Sequence, residues 1–176
     1  KKNKKILFSI ITVSFNQPKI INNFNSLKNQ TYRNFEHIVI DGGSTDKTTE
    51  IIKKNSKNIS YWQSKKDKGI YDAINIGIKK SKGRIIGILN ADDIYYKNAL
   101  KIVKKYFENK NIDFLFGTVK KDRILSGFWP NKIKWKFNIY PSHSGGFFIT
   151  RKAQKKIGFY SLKFKYSSDR DLIFRM

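Results

Sequence analysis

Arg84-Ile85-Ile86-Gly87-Ile88-Leu89-Asn90-Ala91-Asp92-Asp93 decides how this chain folds. From Arg84 to Leu89 the apolar character is nearly continuous. A half-exposed strand alternates apolar and polar residues, whereas a strand covered by helices on both faces does not. A polar cluster begins abruptly after Leu89. A carboxylate just past a buried strand is poorly placed for packing and well placed to hydrogen-bond a ligand. In open α/β sheets ligands bind outside the carboxyl ends of the strands. The residues that follow each strand are therefore the ones to search.

Working outward, the chain alternates between strand and helix patterns. Ile6 to Phe15 reads as a strand rich in β-branched residues. Ile20, Ile21, Phe24 and Leu27 recur at helical spacing between Pro18 and Asn29, with Pro18 suited to a first turn. Phe35 to Asp41 is a second strand, and Asp46 can cap a helix that runs through Asn55. Ile59 to Gln63 is a short strand. Ile70, Ala73, Ile74, Gly77 and Ile78 mark one helix face; Leu100, Val103 and Phe107 mark the next, over Lys97 to Glu108. Ile112 to Val119 is strand-like again. Four such alternations predict an α/β fold: a mostly parallel central sheet with helices on both faces and right-handed crossovers. After Gly117 the segments become short and aromatic, with an apolar run Phe147-Phe148-Ile149, a helix near Lys152 to Ile157 and a final helical stretch from Asp169.

The 176 residues suffice for one domain with a proper core, and 39% hydrophobic with 15% aromatic residues excludes a disordered chain. The absence of cysteine removes disulfides and thiolate metal sites. No apolar run is long enough for a membrane helix. Lys1, Lys2, Lys4 and Lys5 before Ile6 to Phe15 imitate a secretory signal, but no small-residue cleavage site follows. The missing initiator Met and the stop at Met176 within a helix-like stretch suggest a piece of a longer protein. Net charge is +24, from 37 Lys and Arg against 13 Asp and Glu, much of it in pairs such as Lys53-Lys54 and Lys104-Lys105 on polar helix faces. Composition bias accounts for most of these pairs. The functional alternative is attraction to an anionic membrane or to nucleic acid. No helix-turn-helix, RNP or zinc-finger pattern supports nucleic acid, and none is expected as a partner.

Three polar clusters sit at strand ends: Val13-Ser14-Phe15-Asn16, Asp41-Gly42-Gly43-Ser44-Thr45-Asp46 and Asn90-Ala91-Asp92-Asp93. Asp92 and Asp93 are hard oxygen ligands that suit Mg2+ or Mn2+, which take one or two protein carboxylates when substrate phosphates complete the shell. The alternative is that one of them merely caps the following helix. Gly42-Gly43-Ser44 could cradle a phosphate through backbone amides or form a plain turn; no Walker lysine follows.

At this point the residues resemble a known family. Val39-Ile40-Asp41-Gly42-Gly43-Ser44-Thr45-Asp46-Lys47-Thr48 closely resembles the second-strand signature of the family 2 glycosyltransferases. Asp67-Lys68-Gly69-Ile70-Tyr71-Asp72-Ala73-Ile74-Asn75-Ile76-Gly77 looks like the next block of a bacterial branch of it. Leu89-Asn90-Ala91-Asp92-Asp93 is similar to its DxD-type metal motif. Pro141-Ser142-His143 with Phe147-Phe148, and Ser168-Asp169-Arg170-Asp171-Leu172, resemble its last two blocks. The five blocks occur in the family's order.

The resemblance implies a GT-A (Rossmann-like) fold and inverting transfer of a sugar from a UDP-type nucleotide donor, with Mn2+ or Mg2+. It implies that Asp41 hydrogen-bonds the nucleotide base, that Val13 and Phe15 line the base pocket, and that Lys68 and Asp72 touch the donor. Asn90 stands where an acid usually contacts ribose, Asp92 at the metal-binding acid with Asp93 beside it, and Asp169 at the general base. Lys65 and Lys66 replace a common Glu-Pro, and Ser168 replaces the acid that often precedes the base, which leaves Asp171 as an alternative to Asp169. His143 contacts metal or diphosphate, lies near the acceptor, or is an ordinary loop histidine. Gly127 to Tyr140, with Phe128, Trp129, Trp135, Phe137 and Tyr140 among Lys132, Lys134 and Lys136, reads as an acceptor or membrane-interface surface, or as a hairpin closing the core. The expected organisation is one domain, 1–176, with a nucleotide-sugar half 1–117 and an acceptor half 118–176. The expected acceptor is a saccharide or lipid-linked hydroxyl, and the expected setting the cytoplasm or its membrane face. The rivals are a nucleic-acid-binding protein, a nucleotidyltransferase and an inactive nucleotide-binding relative.

Overall fold

The computed structural model describes residues 7–121, 124–125 and 144–176. Its elements run β1 (Phe8–Ser14), α1 (Ile20–Lys28), β2 (Phe35–Asp41), α2 (Thr48–Asn55), β3 (Tyr61–Ser64), α3 (Ile70–Lys80), β4 (Ile85–Ile88), α4 (Ala99–Asn109) and β5 (Phe114–Phe116). A two-stranded ribbon follows, β6 (Val119–Lys120) with β7 (Ile124–Leu125), then β8 (Phe147–Thr150), α5 (Arg151–Ile157) and α6 (Ser168–Phe174).

The main sheet has six strands in the order β3-β2-β1-β4-β8-β5. β3, β2, β1 and β4 are parallel neighbours, whereas β8 is antiparallel to both β4 and β5. The sheet is thus mixed but mostly parallel. Strand order grows from β1 through β2 to β3, then jumps back to β4 on the other side of β1. Right-handed crossovers in opposite directions must cross opposite faces, and the packing follows that rule. Ile11, Val13, Ile38, Ile40, Ile86 and Ile88 pack under α3 with Ala73, Ile74 and Ile78. Phe8, Ile10, Ile85 and Leu89 face the other way, with Leu27 of α1 and Leu100, Val103 and Phe107 of α4. Val39 turns to the same side as α1 and α2, against Ile20, Phe24 and Ile52. Alternate residues of one strand serve two cores, which is why the apolar runs are continuous.

The expected elements are present, with shifts that have local causes. Pro18 precedes α1 instead of occupying its first turn, and Lys19 holds the cap position. The expected strand over Ile112 to Val119 is cut to β5: Gly117 N–H still bonds Gly146 O at 2.7 Å in the β8 register, but Gly146 belongs to a 3-10 turn, Ser144–Gly146, and the ladder ends there. Asp46 Oδ1 accepts the Thr48 amide at 2.9 Å and so helps to start α2. α4 starts only at Ala99, with Asn98 at its cap, so neither Asp92 nor Asp93 is spent as a helix cap. Among the described residues no helix is long and apolar enough to cross a membrane.

Candidate functional site

The reversal of strand order between β1 and β4 is a topological switch point, where the loops after the two strands diverge and leave a crevice. A cleft of about 560 Å³ opens there. Its walls come from three strand ends and one helix start: Val13, Ser14 and Phe15 at the end of β1; Gly42 after β2; Asn90, Ala91 and Asp92 after β4; Gly69, Ile70 and Ala73 at α3. Lys66 and Asp67 close the side next to β3. The end of β2 lies two strand steps from the end of β4, about 10 Å at the usual spacing. Val13 and Phe15, at the end of the intervening β1, thus lie between Asp67 on the β3 side and Asp92 on the β4 side.

Val13 forms part of the floor, and Phe15 stands over it with 64% of its surface exposed. The turn that presents Phe15 is held across to β2. Asn16 adopts a left-handed φ of 47°, Asn16 N donates to Ser44 Oγ at 2.8 Å, and Thr45 N donates to Asn16 Oδ1 at 2.9 Å. Asn tolerates that conformation better than other side-chain-bearing residues.

Asp41 is placed differently from the expectation. It is fully buried and does not line the cleft. Ser14 Oγ and Ser44 Oγ donate to its Oδ1 at 2.7 and 2.5 Å. The amides of Ser44 and Gly43 and the hydroxyl of Ser64 donate to Oδ2 at 2.8, 3.2 and 2.6 Å. Burial alone would raise its pKa, but these donors outweigh burial and hold the carboxyl below its ordinary value. The acid that does line this end of the cleft is Asp67. Its carboxyl fills the space above Gly42, where a Cβ would stand 3.1 Å from Oδ2. Burial and the charges of Asp72 and Asp41 raise the Asp67 pKa against the lowering effect of the Gly69 amide, which donates to Oδ1 at 2.8 Å.

Lys68 and Asp72, expected at the donor, lie just behind the lining residues. Asp72 Oδ2 accepts the Lys68 amide at 3.1 Å, which shapes the turn into α3. Lys66 is the lysine at the cleft.

On the β4 side, Asn90 and Asp92 line the cleft. Asn90 Nδ2 donates to Ser144 Oγ at 3.2 Å, while its buried Oδ1 has no partner among the described residues. Asp92 is exposed and borders both this cleft and a second one of about 720 Å³ under α4 and β5, where Asp93 lies. Asn23 of α1 supports this loop from below. Its Nδ2 donates to Asn90 O at 2.9 Å and Asp93 O at 3.1 Å. Thr12 Oγ1 donates to Asn23 Oδ1 at 3.1 Å, so the buried His37, 2.9 Å from Thr12 Oγ1, must donate through Nε2. Burial lowers the His37 pKa to about 3. The chain's other histidine, His143, lies outside the described residues, as does the segment Gly127 to Tyr140.

Among the described residues no three acidic or imidazole side chains converge as a ready-made metal cage. Asp92 with Asp93 fits the other arrangement, in which one or two carboxylates hold Mg2+ or Mn2+ and substrate phosphates complete the shell. The two acids of α6 have different surroundings. Asp169 Oδ1 accepts from Tyr71 Oη of α3 at 3.2 Å and from the Arg170 amide at 2.8 Å. Asp171 Oδ2 pairs with Arg175 one turn on, at 2.9 Å.

Sequence reasoning quoted Asp67 only as part of a motif and passed over Asn23. Asp67 could have been weighed from its position three residues past the end of β3. Asn23 gives no local signal, because its partners are 67 and 70 residues away.

Known proteins are similar to the chain in sequence or in fold. An uncharacterized glycosyltransferase of Rickettsia bellii is 42% identical over 106 residues, 59% of this chain and 15% of that protein. One of Methanocaldococcus jannaschii is 32% identical over 143 residues, 75% of this chain and 49% of that protein. The chain thus spans half or less of these relatives' lengths. Staphylococcus aureus TarS, residues 1–349 in complex with UDP-GlcNAc, superposes with a TM-score of 0.79 at 22% identity, over 96% of this chain and 52% of that one. The mannosyltransferase PcManGT of Pyrobaculum calidifontis, in complex with GDP-Man and Mn2+, gives 0.73 at 16% identity, over 97% and 52%. These structures share the GT-A fold with the chain. The sequence profile described as Glycosyl transferase family 2 matches residues 9–171, and the chain belongs to that family.

Proposed function

We propose that this chain transfers a sugar from a nucleotide diphosphate donor, uridine-linked, to an acceptor hydroxyl with inversion at the anomeric carbon. One observation carries this most: the ends of β1, β2 and β4 open onto a single cleft, with Phe15 and the Asp67 carboxyl at one side and Asn90 and Asp92 at the other. A nucleoside diphosphate matches this order: a flat base with ring N–H donors at one end, then ribose, then phosphates that bind a metal held by carboxylate. The base lies between Phe15 and Gly42, with the Asp67 carboxylate accepting a ring N–H. A ribose hydroxyl satisfies the orphaned Asn90 Oδ1. The diphosphate reaches Asp92. TarS in complex with UDP-GlcNAc supports the uridine-linked donor, and PcManGT with GDP-Man and Mn2+ supports a nucleotide-sugar with a divalent ion.

Asp92 and Asp93 would hold Mn2+ or Mg2+, which supplies Lewis-acid neutralisation of the charge that builds on the departing diphosphate. Asp169 is the general base. Its carboxylate takes the acceptor hydroxyl's proton as that oxygen bonds to the anomeric carbon, and the bond to diphosphate breaks with its electron pair leaving on phosphate. Asp171 suits the role less well, because it is paired with Arg175. The acceptor is a saccharide or lipid-linked hydroxyl. Contact with an anionic membrane is supported by Leu162, Phe164 and Tyr166, all exposed, with Lys163 and Lys165 between them.

A panel of UDP- and GDP-sugars with Mn2+, read by thermal shift and by nucleotide release, tests this reading. UDP-sugars should raise the melting temperature and release UDP. Asp169→Asn should keep the thermal shift and lose turnover by about 100-fold or more. Pyrophosphate release would indicate a nucleotidyltransferase, and binding without turnover an inactive relative.

A further inference from the structure

Tyr71 belongs to the first turn of α3, between Ile70 and Ala73, which line the cleft, and its own contacts are with Tyr160 and Asp169. Its ring is half-buried and stacks on Tyr160 at 5.6 Å with an interplanar angle of 13°. Tyr160 is itself clamped to the same helix: Asn75 Nδ2 donates to Tyr160 O at 2.8 Å, and Tyr160 N donates to Asn75 Oδ1 at 2.9 Å. The phenol at the end of this rigid stack donates to Asp169 Oδ1, 98 residues away in sequence. Among the described residues, both hydrogen bonds to Asp169 end on Oδ1. The geometry therefore holds one oxygen of the carboxylate, and Oδ2 accepts no hydrogen bond among the described residues.

We propose that Tyr71 is a positioning residue for Asp169: its hydroxyl anchors Oδ1 and so presents Oδ2 to the acceptor. This rests on the reading of Asp169 as the base. Burial and the adjacent Asp169 charge raise the Tyr71 pKa, so the phenol keeps the proton it donates across the working pH range. The same helical turn touches donor through Ile70 and base through Tyr71, so donor and base share one rigid support.

Tyr71→Phe removes the hydroxyl and keeps the stacked ring. Turnover is measured as UDP released to water from the best UDP-sugar of the panel. The kcat should fall by about 10-fold to 100-fold, as small misplacements of reacting groups do. The donor KM should stay within about twofold, since uniform donor binding is untouched. In an Asp169→Asn background, Tyr71→Phe should cause no further loss, because its effect passes through that carboxylate. A Tyr71→Phe kcat equal to the parent's, or an undiminished loss in the Asp169→Asn background, overturns the proposal. Where the parent releases too little UDP for kinetics, the crystal structure of Tyr71→Phe decides. A changed Asp169 rotamer supports the proposal, and an unchanged one overturns it. Full turnover in Asp169→Asn alone would instead remove the base assignment beneath it.

Discussion

Asp41 and Asp67 are two acids at neighbouring strand ends with opposite roles. Asp41 is saturated by five protein donors and braces the ends of β1, β2 and β3. Asp67 offers its carboxyl to the cleft. Asp41→Asn puts an amide among donors and should lower stability by about 1–3 kcal/mol, read by denaturant unfolding. Asp67→Asn should leave unfolding nearly unchanged and weaken UDP binding by calorimetry, by about 10-fold for one charge-assisted hydrogen bond. Equal effects of the two variants on UDP binding would contradict this division. The sequence showed that acids follow strands, but not which acid is free. That depends on register: Ser14 pairs with Asp41, and Asp41 with Ser64. Three adjacent strands thus bring Asp41's hydroxyl partners level with it, and no local pattern fixes that alignment.

At the scale of elements, α1 and α3 hold the cleft from opposite faces. α3 approaches β1 so closely that a Cβ on Gly77 would stand 2.4 Å from Ile11 Cγ2. Gly77→Ala must push α3 off the sheet, at a cost of about 1–3 kcal/mol despite the better helix propensity of alanine. Thermal unfolding measures this, and a stabilised variant would contradict the packing. α1 acts through Asn23, which ties the 90–93 loop to the buried Thr12 and His37. Asn23→Ala should weaken Mn2+-dependent UDP binding although Asn23 does not line the cleft. The helix faces around Ile20, Ile74 and Val103 were legible from periodicity, because burial selects apolar residues every third or fourth position. The place of β8 was not. An apolar run does not say which neighbours it joins, and β8 enters antiparallel between β4 and β5.

For the whole molecule, the buried polar network predicts how stability depends on pH. Folding lowers the His37 pKa from 6.5 to about 3. Between those values the unfolded chain binds a proton that the folded chain does not, so stability falls as pH drops from 6.5 toward 3. Asp41 adds to the loss at the acid end, because its depressed pKa makes its contribution vanish as pH falls through the folded value. Denaturant midpoints across this range should decline steadily, and a flat profile down to pH 4 would contradict the buried neutral imidazole. The net charge of +24 predicts that any binding to anionic vesicles weakens as salt rises.

The central claim is that residues distant in sequence form one nucleotide-diphosphate site, and a crystal structure with UDP and Mn2+ tests it most directly. Uracil should lie beside Phe15 and Asp67, and Mn2+ should bridge the diphosphate to the Asp92–Asp93 pair. UDP bound away from the β1–β4 switch point, or a diphosphate whose metal touches neither Asp92 nor Asp93, would contradict it.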